Sequence, residues 1–87
     1  MPTESIGKIR TCIALQRLVM EVFPEVISLV YMPADGEEWV QIGYKAQYTG
    51  EDGLIQETKK IMNVNVSCDS NAAIVDDVWQ ECKRRFG

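Results

Sequence analysis

A long apolar helix near the N-terminal end constrains this chain more than any other feature. Thr3 and Ser5 can cap it. It runs to about Phe23, where Pro24 removes a backbone donor and forces the preceding residue out of the α region. Arg10, Ala14, Arg17 and Glu21 follow one another at steps of four, three and four, which gathers them into one narrow polar stripe. Most of the remaining circumference is Ile, Leu, Val, Met, Cys or Phe, interrupted only by Lys8, Thr11 and Gln16. One sheet face cannot cover so wide an apolar band, so the helix is expected to touch both a sheet and something else, either another helix or a second subunit.

The rest of the chain supplies the sheet. Val26 to Met32 carries apolar side chains on both faces, with Val26, Val30 and Met32 opposite Ile27, Leu29 and Tyr31, the pattern of a central strand. Pro33, Asp35 and Gly36 form a turn, after which Val40, Ile42, Tyr44, Ala46 and Tyr48 alternate with Gln41, Gly43, Lys45 and Gln47 as the second arm of an antiparallel hairpin. Leu54, Ile55, Thr58, Ile61 and Met62 share one side of a helix, with acids before them and lysines near the end, so a short helix is expected over residues 54–62. Asn63 to Cys68 alternates again as a third strand, with Val64, Val66 and Cys68 on its buried face. Asp69 or Ser70 then caps a last helix on which Val75, Val78, Trp79, Cys82 and Phe86 form the apolar stripe. The expected class is α+β, a small three-stranded, partly antiparallel sheet with helices packed on it. The order is αββαβα, or αβββα if residues 54–68 merge into one strand.

A chain of 87 residues holds one domain, spanning residues 1–87. At this size its own core is thin, and a partner surface would add useful burial. The net charge of -4, from 13 acids against 9 bases, opposes a nucleic-acid partner, which needs a basic field. No apolar run approaches the ~18 residues of a membrane span. Cys12, Cys68 and Cys82 are odd in number and lack motif spacing, and no secretory signal precedes them, so reduced thiols and a cytoplasmic location are expected.

The sequence has no histidine, which removes the commonest general base and metal ligand and every Ser-His or Cys-His pair. The cysteines are too widely spaced for a metal site, Asp35-Gly36-Glu37-Glu38 lacks the spaced ligands of a calcium loop, and no metal or cofactor is expected. Gly50-Glu51-Asp52-Gly53 places two acids where a phosphate loop would need donors. Cys68, just ahead of the last helix, is the one candidate for a reactive thiol, because a helix N-terminus favours thiolate. Burial as a small hydrophobe is the competing reading, and Cys12 and Cys82 fall on apolar helix faces. Tyr31, Trp39, Tyr44 and Tyr48 come from adjoining strands and could wall a small-ligand groove, with Gly43 allowing close approach, although half-buried sheets favour aromatics in any case.

The αβββα order is also that of the double-stranded RNA-binding domain. Those domains open their last helix with lysines that meet phosphates, whereas this helix opens with Ser70-Asn71-Ala72-Ala73 and continues into Asp76 and Asp77. Lys83, Arg84 and Arg85 lie at its far end, where cations complement the helix C-terminus without any ligand. The residues therefore point to a noncatalytic interaction or regulatory module that self-associates as a homodimer or binds a protein partner, with Ile9, Ile13, Met20 and Trp39 as the expected contact residues. Small-ligand binding through the sheet aromatics is the alternative, and a thiol enzyme using Cys68 the less favoured one.

Overall fold

The computed structural model of the chain describes residues 3–87, with side chains described from Ile6 onward. Helix α1 (Thr3–Val22) is followed by strands β1 (Val26–Ala34), β2 (Glu37–Thr49) and β3 (Ile55–Asn65) and by helix α2 (Asn71–Phe86). The order is αβββα, so of the two orders open to the sequence the second is realised. Residues 55–62 belong to β3, not to a helix. Thr3 and Ser5, the expected caps of α1, fall where side chains lie outside the described residues.

The sheet is antiparallel throughout, in the order β1-β2-β3. β1 is thus an edge strand, not the central strand its two-sided apolar pattern suggested. Its face assignment also shifts. A bulge between Val26 and Ser28 inserts one extra residue, so Val26, Leu29 and Tyr31 are buried together while Val30 and Met32 point to the other side. Asp35 and Gly36 both adopt positive φ, 51° and 80°, the two-residue turn whose twist matches that of the strands it joins.

One face of this sheet carries both helices. Leu29, Val40, Ile42 and Val64 from the strands meet Cys12, Leu15 and Val19 of α1 and Ile74, Val78 and Cys82 of α2 in one buried cluster. Phe23, just past α1, stacks against Trp79 and Phe86 at 5.3 and 6.0 Å, and Phe86 meets Tyr44 edge-on at 5.2 Å. Ser70 caps α2, its hydroxyl accepting from the Ala73 N–H at 3.2 Å. At the far end, the Arg85 guanidinium donates to the Tyr44 hydroxyl and lies 5.2 Å from its ring centre.

The β2-β3 ladder continues to Thr49 and Ile55, beyond the reach of the helices, as a two-stranded arm that is exposed on both faces and lengthens the molecule to 51 Å. The opposite face of the sheet has no layer over it among the described residues. No described helix is long and apolar enough to cross a membrane.

Candidate functional site

The polar centre of the molecule is Glu38, at the start of β2. Its carboxylate accepts from the Lys8 ammonium at 2.6 Å, from the Tyr31 hydroxyl at 2.5 Å and from the Cys68 backbone N–H at 3.2 Å, tying α1, β1 and the approach to α2 together. The hydrogen bond from Lys8, then that from Tyr31, hold this carboxyl below the usual glutamate range. Beside it opens a shallow cleft of about 620 Å³ bordered by Gly7, Lys8, Cys68 and the first residues of α2.

Cys68 is exposed and turned out of the strand, not buried with Val64 and Val66 as its spacing suggested. β3 ends at Asn65, and Cys68 takes a positive φ of 64°, which ends the alternation that would have carried it inward. Glu38, which accepts from the Cys68 backbone N–H, is already engaged by Lys8 and Tyr31 and is a weak base for that reason. Cys12 and Cys82 are buried, and burial pushes both thiols up to about 11.

The four aromatics named as a possible ligand wall are not brought together. Tyr31 and Tyr44 are buried beneath the helices, Tyr48 shares their face out on the exposed arm and bonds Gln56, and Trp39 lies on the opposite face. The groove beside Trp39, bordered by Met32, Ala34, Gln41 and Asn63, encloses only about 190 Å³, below the ~300 Å³ at which small-molecule sites begin.

Besides the cleft at Glu38, apolar side chains stay exposed at Leu18 and Val22 of α1 and at Leu54 and Ile55 by the arm's tip, and the expected contact residues fall on two further apolar surfaces. The first is a flank of α1. A Cβ on Gly7 would stand 3.5 Å from the Asn71 side chain, so that side of α1 faces the start of α2. Past Cys12, Leu15 and Val19, which turn to the core, Ile9, Ile13 and Met20 lie about 200–240° further round the helix. These three, with Ile6, therefore line the outer flank, away from α2 and beside the free edge of β1. All four are exposed, Ile13 at 54%. Arg10, Arg17 and Glu21 are exposed next to them, as the polar stripe requires. The second surface is the uncovered sheet face, where Met32 is exposed beside Trp39 and Val30 and Ile61 are exposed further along it. Of the four expected contact residues, Ile9, Ile13 and Met20 thus share one surface and Trp39 belongs to the other. Ile61 escaped the sequence reading because it was assigned to a helix.

The elements together define an α+β domain with two helices on one side of a three-stranded antiparallel sheet. Comparisons with protein-family models, curated proteins and solved structures give no match to this chain.

Proposed function

We propose that this chain is a noncatalytic interaction module that self-associates through the outer flank of α1. The observation that supports it is the row Ile6, Ile9, Ile13 and Met20, which stays exposed after α1 has packed on β1 and α2. Helix flanks that face water are normally polar, and an apolar row beside a working core, interrupted here only by Gln16 and Arg17, is the kind of surface that partners cover. A second copy, its α1 laid antiparallel against the first, buries this row on both molecules in an isologous contact. Phe23, Trp79 and Phe86 are already spent on the intramolecular core, and Leu18 and Val22 are exposed on another side of α1.

Burying an isoleucine side chain is worth about 1.5–3 kcal/mol, and roughly half of Ile13 is still exposed, so the two copies together gain about 1.5–3 kcal/mol from this residue, the upper part of which sets the expectation. Ile13→Glu is therefore expected to weaken the dimer by about 30- to 150-fold, while the exposed site leaves the fold intact. Sedimentation equilibrium from micromolar to millimolar concentration reads this directly. A wild-type chain that stays monomeric across that range refutes the proposal.

A further inference from the structure

The uncovered sheet face is the second surface, and its charges are arranged with a direction. Along the face, β2 presents Glu37, Trp39, Gln41, Gly43 and Lys45 in turn, with Lys59 of β3 directly opposite Lys45. Like charges directly opposite in a ladder repel. Neither lysine nor Glu37 has an ion-pair partner among the described residues. Between the acidic and the basic residues lie Val30 and Met32 of β1, Trp39 of β2 and Ile61 of β3, interleaved with Gln41, Asn63 and Asn65. Gly43 keeps this middle low, because a Cβ there would meet the Ser28 hydroxyl at 2.4 Å.

Glu57, opposite Gln47, lies one pleat beyond the lysines and leaves that region with a net positive charge. A face with an acid at one side, a net basic region at the other and apolar residues between is complementary to itself when turned through a half rotation. We infer that this face docks a second copy of the chain, sheet to sheet, about a two-fold axis near Gln41. Glu37 of each copy then meets Lys45 and Lys59 of the other, and Trp39 with Met32 packs toward Ile61 across the axis. From Glu37 to Lys45 the face is about 27 Å long and, over three strands, about 15 Å wide. Two copies bury about 800 Å² on this footprint, the size of a weak contact. The inference rests on the reading that the chain self-associates and adds a second contact to the one through α1. A chain with two separate isologous faces assembles beyond the dimer.

The Ile13→Glu variant favours this contact, because it weakens the α1 association and leaves the sheet face untouched. At high concentration it is expected to remain a reversible dimer. Ile61→Lys in that background weakens the dimer at least tenfold, and so does Glu37→Lys. Combining Glu37→Lys with Lys45→Glu and Lys59→Glu restores association, an outcome that loss of folding cannot imitate. If Ile13→Glu is a strict monomer while the wild type is a dimer, the sheet contact falls and the α1 reading stands. If the wild type is itself a monomer, both fall. If Ile13→Glu still associates but neither Ile61→Lys nor Glu37→Lys weakens it, the sheet face is not the surface involved and the inference is overturned.

Discussion

Replacing Glu38 by glutamine keeps the shape of the side chain and removes its charge, which makes it a clean probe of the joint that holds α1 on the sheet. The Lys8 and Glu38 side chains are only 13% and 22% exposed, so the pair lies between a surface ion pair, worth ~0–1 kcal/mol, and a buried one, whose breakage costs ~3–5 kcal/mol. A loss of about 2 kcal/mol follows, which for a domain of this size lowers Tm by about 8–16 °C. The hydrogen bond from Lys8 and then that from Tyr31 hold the Glu38 carboxyl low in the folded state. Its stabilisation is therefore fully present above the unfolded glutamate value of ~4.3 and is lost as pH falls through the lower folded value. Thermal unfolding followed by circular dichroism should show the wild type well above Glu38→Gln at neutral pH, with the two converging in acid. Equal Tm values at neutral pH, or a gap undiminished at the acidic end, would refute the assignment of Glu38 as the ionised anchor of Lys8.

The three thiols should separate by accessibility. With Cys12 and Cys82 buried and their thiols pushed up to about 11, a colourimetric thiol reagent should titrate only Cys68 in the native protein and the other two after denaturation; a second fast native thiol would contradict the packing of the helices. The same assay judges the thiol-enzyme idea, which ends if Cys68 reacts no faster than a free thiol in solution. Asp77 and Asp69 are close enough for their carboxyls to share a proton, and that hydrogen bonding, followed by desolvation and by repulsion from the Asp69 charge, raises the Asp77 carboxyl. A carboxyl raised in the folded state destabilises the fold above its own pKa and relieves that strain as pH falls. Asp77→Asn should thus raise Tm at neutral pH and lose its advantage in acid, and an unchanged neutral Tm would show that the two carboxyls do not interact.

The parts of the fold legible in the sequence are those where one face is buried. α1 ends next to Pro24 as expected, β2 alternates as written from Val40 to Tyr44, and α2 follows its apolar spacing behind the Ser70 cap. The outer part of β3 was not legible, because both faces of the arm are wet. Gln56, Thr58 and Lys60 share the face that carries the helices but lie beyond them, so alternation has no burial to record, and the chance spacing of Leu54, Ile55, Ile61 and Met62 imitates a helix. β1 misled in the opposite sense. An uncovered apolar face and a bulge at Ile27 together gave it the two-sided greasiness of a central strand. The surplus apolar band of α1 was legible, and its outer flank is exposed as that surplus required. Trp39 could not be separated from Ile9, Ile13 and Met20 without knowing that the helices share the other side of the sheet.

An NMR dilution series gives the most direct test of association through α1, because it reports each residue in the intact chain. On dilution from millimolar to micromolar concentration, the account predicts that amide signals of Ile6, Ile9, Ile13 and Met20 move together along one binding isotherm. Signals that stay fixed across the series, or that move only at residues remote from α1, would contradict it.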